Sequence, residues 1–189
     1  MKLTLLGLFV LLIVTACVSL TLGNYPISFQ TLIEIFSYGT NTLPPDLQLQ
    51  ANIIVDIRLP RILAAILIGA SYAVSGASFQ AMFMNPLVSP GILGVLSGSA
   101  FGAALGIVYF DHWAMIQISS FFFGCMAVLI ALMISHSYRS YSSPILLLIL
   151  GGIISGALFS TLLSIVKFTA DPYSKLPSIV YWLMGSLAS

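Results

Sequence analysis

The sequence predicts an all-α, polytopic transmembrane helical bundle with about five spans. Only 6% of its residues are charged, against about 25% in a soluble domain, and 59% are hydrophobic. The charges also cluster, which leaves charge-free stretches at residues 3–33, 62–110, 112–138 and 140–166. Each stretch can hold the roughly 20 helical residues that cross a hydrocarbon core. With a net charge of only +1, the composition excludes a soluble enzyme, a disordered chain and a nucleic-acid-binding protein.

The first predicted span covers Leu3–Leu22. A lysine followed by an apolar run is also typical of a signal peptide, and Val14–Cys17 resembles a lipoprotein cleavage box. We favour a span, because the run is long enough to cross the bilayer and further spans follow it. Cys17 and Cys125 lie in apolar runs, and we interpret them as buried free thiols rather than as a disulfide or a metal site.

A polar, proline-punctuated connection follows the first span and extends to residue 61. Within it, the apolar residues of Ile27–Tyr38 fall on one face, which predicts a short amphipathic helix at the membrane interface. Asn52–Arg61 then leads into the second predicted span, Ile62–Met82.

The segment from Asn85 to Gly91 interrupts the apolar pattern although it contains no charge. Its two prolines, Pro86 and Pro90, cannot continue a regular helix. At membrane depth, irregular backbone is tolerated only where protein buries it or water reaches it. The segment is therefore a candidate lining of a cavity, and a plain tight turn between spans is the alternative. The nearby polar side chains serve either helix–helix hydrogen bonds or a polar passage; they are Ser71, Ser75, Ser78, Gln80 and Asn85.

Three more spans are predicted, and a last apolar stretch is too short to cross. Trp113 is placed as an interface anchor, and Lys167 can snorkel at the end of the fifth span. The spans are Ile92–Phe110, Trp113–Ser135 and Ile145–Phe168, and the last stretch is Ser178–Ser189.

Small residues recur at every fourth position in three spans and so share one helix face. Such stripes let helix backbones approach closely, and we interpret them as packing surfaces rather than sites. They are Ala65, Gly69, Ala73 and Ala77 in the second span, Gly94, Gly98, Gly102 and Gly106 in the third, and Gly152, Gly156, Ser160 and Ser164 in the fifth.

Chemistry-bearing residues are scarce within the spans. No Asp or Glu lies inside one, which argues against an ion-coupled carrier, and no phosphate-binding loop is present for ATP hydrolysis. An intramembrane serine protease would pair Ser97 or Ser99 with His112 or His136, but both histidines lie at span ends, so the triad is poor. We therefore predict a protein that is not an enzyme.

Four groups of residues carry a resemblance to a known family. They are Arg58-Leu59-Pro60-Arg61 with Gly69-Ala70 and Ser75-Gly76-Ala77; Gln80 with Asn85-Pro86-Leu87, Pro90-Gly91, Leu93-Gly94-Val95 and Ser97-Gly98; the run from Gly151 to Ser164 with Ala170-Asp171-Pro172; and Tyr181-Trp182-Leu183-Met184-Gly185-Ser186-Leu187. Together they resemble the FecCD-type permeases, which are membrane subunits of bacterial ABC importers. The resemblance begins near residue 24 and extends to the end of the chain.

The resemblance implies a specific architecture. Family members have ten transmembrane helices per subunit, and this chain looks like the first five of them. Residues 1–189 are thus expected to form a single transmembrane permease domain, apparently truncated, with residues 24–61 as a periplasmic connection. The family's main docking surface for ATPase subunits follows the sixth helix and lies outside these residues. The implied topology places the N-terminus in the cytoplasm, whereas the positive-inside rule leans the other way; we follow the motifs.

The resemblance also implies partners and a substrate class. The partners are a second permease subunit, as a homo- or heterodimer, two cytoplasmic ATPase subunits, a periplasmic substrate-binding protein and the lipid bilayer of the inner membrane. No nucleic acid, cofactor or metal is expected. The cargo is expected to be an iron-siderophore, haem or cobalamin-type chelate. The alternatives are molybdate or tungstate transport and a membrane fragment without transport activity.

Site residues are implied by motif matching alone. In the family, the loops after helix 2 and between helices 4 and 5 form cytoplasmic gates that border the translocation path. The matching positions here are Asn85 and Leu87 for the first loop, and Ser142 and Ser143 for the second. The stretch Trp182–Leu187 implies a short helix facing the periplasmic vestibule. The remaining motif residues are Arg58, Pro60, Arg61, Gln80, Pro86, Pro90, Gly91, Trp182 and Gly185.

Overall fold

The computed structural model describes residues 2–23, 25–38, 44–86, 88–110, 112–138 and 143–187, and these contain helices but no strand. The chain divides into two compact units, Met1–Ser71 with Leu187–Ser189, and Tyr72–Ser186. The α-helices are α1 (Lys2–Thr21), α2 (Phe29–Tyr38), α3 (Pro45–Asn52), α4 (Leu59–Phe83), α5 (Val95–Tyr109), α6 (Trp113–Ser137), α7 (Pro144–Thr169) and α8 (Lys175–Met184). A π-helical turn, Ile53–Arg58, precedes α4, and a 3₁₀ turn, Pro90–Leu93, precedes α5.

The predicted all-α membrane fold is confirmed, with differences among the spans. Three described helices are long and apolar enough to cross a bilayer: α1, α6 and α7. Helix α4 covers the second predicted span with 25 residues. Helix α5 is apolar but has only 15 residues, about 22 Å at 1.5 Å per residue, and is shorter than a core of about 30 Å.

The first unit has a small core of its own beside the exposed helix α1. Ile27, Ile35, Ala51 and Ile54 are buried together, and Leu20 at the end of α1 packs against them. The predicted short amphipathic helix is present as α2, which begins at Phe29 rather than Ile27, and its place at the membrane interface stays a prediction. The lead into α4 is more regular than the sequence suggested, because Pro45 occupies the first turn of α3 and the helical backbone continues through the π-helical turn.

Pro60 accounts for that π-helical turn. Proline has no N–H, so it cannot complete the α-helical bond to the carbonyl four residues earlier, and its ring crowds that carbonyl. The wider register relieves this conflict, and the N–H of Leu59 donates to the carbonyl of Ile54, five residues back.

In the second unit, glycine contacts join α5, α6 and α7. A Cβ on Gly98 would overlap the carbonyl oxygen of Phe123, and one on Gly151 would lie 2.6 Å from the carbonyl oxygen of Ala131. The stripe predicted for the third span is thus a packing surface. Hydroxyls reinforce these helix contacts: the part-buried Ser119 Oγ donates to the Gly102 carbonyl at 2.7 Å, and the buried Ser155 Oγ donates to the Ala127 carbonyl at 2.8 Å.

Three predicted details were wrong. The third span does not start at Ile92 as one helix, because Gly94 has φ +78 and separates a 3₁₀ turn from α5. The short helix placed at Trp182–Leu187 is the last turn of α8, which ends at Met184 because Gly185 has φ +74. Cys17 and Cys125 are free thiols, but they lie on exposed helix faces.

Replacing Gly102 with alanine should lower thermal stability, because the added Cβ would overlap the Ser119 carbonyl and lie 2.8 Å from its carbon. Overpacking of this kind costs about 1–3 kcal/mol. Gly76→Ala is the matched control, since its Cβ would meet nothing within 4 Å. Thermal unfolding in detergent micelles should show a lower midpoint for Gly102→Ala alone, and equal midpoints for the two variants would contradict the packing.

Candidate functional site

Helix α4 ends in a hydrogen-bonded motif that reverses the chain. The N–H of Asn85 donates to the Gln80 carbonyl at 3.2 Å, and the N–H of Met84 donates to the Ala81 carbonyl at 3.3 Å. This pair of bonds defines a Schellman motif, which requires a left-handed residue at the position of Met84. Met84 has φ +48 and is the one non-glycine residue with positive φ in the described chain.

Among the residues described beyond Asn85, Pro86, Val88 and Ser89 lie outside any helix. Asn85 and Pro86 are exposed, whereas Val88 is buried and donates its N–H to the Asn85 carbonyl at 3.4 Å. Leu87, the second residue predicted for this loop, lies outside the described residues. The break is therefore longer than a plain tight turn.

The end of the break is seated on α7 through glycines. The 3₁₀ turn begins at Pro90, and the N–H of Gly94 donates to the Gly91 carbonyl at 3.1 Å. A Cβ on Gly94 would lie 2.8 Å from the backbone nitrogen of Gly156, and one on Gly152 would lie 2.8 Å from Leu93 Cα. Protein thus covers the irregular backbone of this 3₁₀ turn, which is the condition under which such backbone is tolerated at membrane depth.

One side-chain hydrogen bond joins α5 to α7 a turn further along. Ser160 Oγ donates to Ser97 Oγ at 3.1 Å, and Ser160 is exposed. In the sequence analysis, Ser160 is interpreted as a packing residue, and Ser97 as a weak protease candidate and part of a family motif. Ser160 belongs to the fifth-span stripe and Ser97 precedes Gly98 of the third-span stripe, and this proximity to two packing faces was the available signal for the pairing.

The connection between α6 and α7 uses Ser143 as a helix cap. Ser143 Oγ accepts the N–H of Leu146 at 3.3 Å, and Pro144 follows as the first helical residue. Ser142 lies outside the described residues. An open, mainly apolar cavity adjoins this end of the helices, lined by residues that include Leu129, Met133, His136 and Pro144.

The structure gives the predicted residues separate local roles. Gln80 and Asn85 hold the end of α4, Pro90 and Gly91 form the 3₁₀ turn against α7, and Ser143 caps α7. Arg58, Pro60 and Arg61 belong to the first unit, where both arginines line one cavity with residues that include Gly23 and Tyr25.

The segment before α8 is organised by Asp171, which the sequence analysis named only as part of a family motif and gave no role. Asp171 Oδ2 accepts the N–H of Ser174 at 2.8 Å and its hydroxyl at 2.6 Å. These hydrogen bonds hold the pKa of Asp171 below its ordinary value. Trp182 packs beside the buried Ile179, and its carbonyl accepts the Gly185 N–H at 3.1 Å. The Asp-Pro-x-Ser spacing was the available signal for this turn.

Within the described ranges, no three His, Cys, Asp or Glu side chains come together where they could hold a metal ion. Apart from Lys167 in the last turn of α7, the polar groups described at the α4 break and on α7 are neutral hydroxyls, amides and backbone groups. Such groups can line a passage or hold a backbone turn, and they provide no activated nucleophile.

Comparison with known proteins gives one family for almost the whole chain, since residues 11–189 match the profile of the FecCD transport family. The chain is 42% identical over 185 residues to the molybdate import system permease protein MolB of Haemophilus influenzae, covering 98% of this chain and 54% of that protein. It is 35% identical over 178 residues to a Helicobacter pylori protein named as an iron chelatin transport system permease, covering 93% of this chain and 53% of that protein.

Two further comparisons agree. A Staphylococcus aureus protein named as the haem-iron transport system permease IsdF is 35% identical, with 93% of this chain and 51% of that protein covered. A solved structure, described as an inward-facing metal-chelate type ABC transporter, superposes with a TM-score of 0.81 at 39% identity. That match covers 100% of this chain and 55% of the other. The chain therefore spans about half the length of the relatives it matches.

The left-handed Met84 makes a testable prediction about the α4 break. A non-glycine residue in this conformation costs about 1–2 kcal/mol, so Met84→Gly should raise the thermal midpoint. Met82→Gly is the control, because Met82 lies inside α4, where glycine costs about 1 kcal/mol and should lower the midpoint. The midpoints are measured by differential scanning calorimetry. A shift of the midpoint in the same direction for both variants would contradict the Schellman motif at the end of α4.

Asp171 predicts a dependence of stability on pH. Because its folded-state pKa is lowered, its contribution is fully present above the unfolded value and is lost as pH falls through the lowered pKa. Asp171→Ala should therefore reduce thermal stability near neutral pH and reduce it less in acid below the ordinary value of 3.8. Ser178→Ala, one turn into α8, serves as the comparison. A pH-independent difference between wild type and Asp171→Ala would refute this role.

Proposed function

Because this chain belongs to the FecCD transport family, we propose that it forms the membrane-spanning permease part of a binding-protein-dependent ABC importer. The observation that carries the proposal is the superposition of the whole chain on a metal-chelate type ABC transporter, with a TM-score of 0.81 at 39% identity. The proposed protein carries out no covalent chemistry.

The proposed cargo is a metal chelate of the iron-siderophore, haem or cobalamin type. Two relatives named for iron chelatin and haem-iron transport support it, as does the structure described as metal-chelate type. The neutral groups at the α4 break and along α7 suit a bulky cargo that must pass without tight binding. A charged lining would hold such a cargo in place.

Molybdate or tungstate transport is the second candidate. It is favoured by one observation, the 42% identity to a permease named for molybdate import, which exceeds the 35% found for the iron and haem relatives. A small oxyanion could pass the same neutral lining through serine hydroxyls and backbone N–H groups.

We propose Asn85, Leu87, Ser142 and Ser143 as the cytoplasmic gate. Two features of the described residues support this assignment. Asn85 lies at the exposed start of an irregular segment whose far end is fixed to α7, and Ser143 caps the α7 helix itself. Asn85 and Ser143 thus lie where a helix ends or begins, and such positions absorb the backbone changes of hinge motions.

The proposed partners follow from the family. They are a second permease subunit, two cytoplasmic ATPase subunits and a periplasmic binding protein, assembled in the bacterial inner membrane. ATP binding by the ATPase subunits would rock helices between outward-open and inward-open states. The glycine contacts among α5, α6 and α7 suit such motion, because closely packed helices move together as a rigid group.

Uptake measurements test the proposal. The permease, produced with its importer partners in a strain lacking its own importer, should restore accumulation of one cargo from a panel of ferric siderophore, haem, cobalamin, molybdate and tungstate. Asn85→Arg should reduce that uptake about tenfold or more, because a long cationic side chain at the gate would obstruct the neutral passage and hold the cargo there.

Tyr173→Arg is the matched control, since it adds the same charge at a side chain that is 92% exposed after α7. Membrane insertion of both variants is measured by fractionation and immunoblotting. If the Asn85→Arg protein inserts and uptake is unchanged, the gate assignment is wrong. If accumulation of no cargo in the panel is restored, the proposed importer function is wrong.

A further inference from the structure

We propose that Arg58 is a positioning residue that caps the carboxyl end of α1 from 38 residues downstream. Its guanidinium donates to two backbone carbonyls, Leu20 O through Nη1 and Tyr25 O through Nη2, each at 2.5 Å. The sequence identified Arg58 only as a motif residue and gave it no task. The inference does not depend on which cargo the protein carries.

The end of α1 needs such a donor. The last four carbonyls of an α-helix have no partner within the helix, and in or near a bilayer an unpaired carbonyl is costly. The Val18 carbonyl accepts the Leu22 N–H at 3.0 Å, and the Thr21 carbonyl accepts the Ile27 N–H at 3.2 Å. Arg58 supplies the donor for the carbonyl of Leu20, which lies between these two.

The charge of Arg58 suits this position. The carboxyl end of a helix carries partial negative charge, so a cation there is stabilising. A guanidinium presents its donors in a planar fork, which allows one side chain to bind two carbonyls at once. Arg58 therefore joins the helix end to the chain that follows it.

The local sequence places Arg58 for this task. It is the last residue of the π-helical turn, directly before Leu59 and Pro60. The extra residue in that turn rotates Arg58 relative to its position in a regular α-helix, by about 100° per residue. Ile54, in the same turn, is fully buried in the core that also contacts Leu20. The apolar contact and the hydrogen bonds thus meet at the same end of α1.

Gly23 provides the space that the guanidinium occupies. A Cβ at this position would lie 2.7 Å from Nη2 and 3.2 Å from Cζ of Arg58. Gly23 also has φ +158, which L side chains rarely adopt. The glycine and the arginine therefore fit each other, and a side chain at position 23 would displace the guanidinium.

Attachment at this end matters because α1 has little other support. The apolar window of α1 is 0% buried, so α1 is exposed along its length in the first unit. Its contacts are concentrated where Leu20 joins the small core and where Arg58 binds. Loss of Arg58 should therefore loosen the end of α1 and the residues after it, rather than unfold the second unit.

Amide hydrogen exchange of the full chain in lipid nanodiscs tests the assignment. Arg58→Gln should speed exchange of the Leu22 and Ile27 amides roughly 10- to 100-fold, the effect of losing a charged hydrogen bond. Arg58→Lys should fall between wild type and Arg58→Gln, because an ammonium retains the charge but lacks the planar fork. Arg61→Gln is the matched control, since it removes the same charge and leaves both Arg58 bonds in place.

A double-mutant cycle with Gly23→Ala separates the cap from general destabilisation. In wild type, Gly23→Ala should speed exchange of the same amides through backbone strain and displacement of the guanidinium. In the Arg58→Gln protein only the strain remains, so the added effect should be several-fold smaller. If Arg58→Gln fails to insert, the same comparison is made in Arg58→Lys. Two results would overturn the assignment. One is additive effects of Gly23→Ala and Arg58→Gln on the exchange rates, and the other is equal effects of Arg58→Gln and Arg61→Gln.

Discussion

Hydrogen bonding of the backbone in a medium without water is the constraint on which this structure depends. A bilayer offers no partner to a free N–H or C=O group, so each helix end at that depth must find one within the protein. Helix α1 receives a guanidinium from Arg58, far along the chain. Helix α4 instead closes on itself, with Met84 in the left-handed conformation and Asn85 returning its N–H to Gln80.

The same constraint explains why glycine dominates the contacts of the second unit. When Gly98 and Gly102 face a neighbouring helix, its carbonyls come close enough that a side chain would collide with them. Hydroxyls then bond across the contact, as Ser155 does to the Ala127 carbonyl. Close packing and interhelical hydrogen bonds hold helices α5, α6 and α7 together. Lipid tails have no hydrogen-bonding groups, so they cannot compete for these bonds. A group packed in this way provides a firm seat for the irregular segment after α4.

Much of the proposed site could be predicted from the sequence, because it depends on proline and glycine, whose backbone preferences differ from those of other residues. Pro86 and Pro90 located the break, since proline forbids a regular helix wherever it stands. The glycine stripe of the third span located the α5 packing surface, because a spacing of four residues holds in any helix. The stripe of the second span did not behave in the same way, and a Cβ on Gly69 would meet nothing within 4 Å. A stripe of small residues indicates that another helix can approach closely. Which helix packs there depends on how the helices are arranged.

The sequence by itself determined the membrane class, the positions of the apolar helices and the family, because composition, periodicity and motif spacing are local properties of the chain. The tertiary structure alone decided that Gly94 ends a 3₁₀ turn against Gly156, that Ser160 pairs with Ser97, and that Arg58 reaches Leu20. Each of these contacts joins residues far apart in the chain. The distance between such residues depends on how whole helices pack, and no local pattern of side chains encodes that geometry.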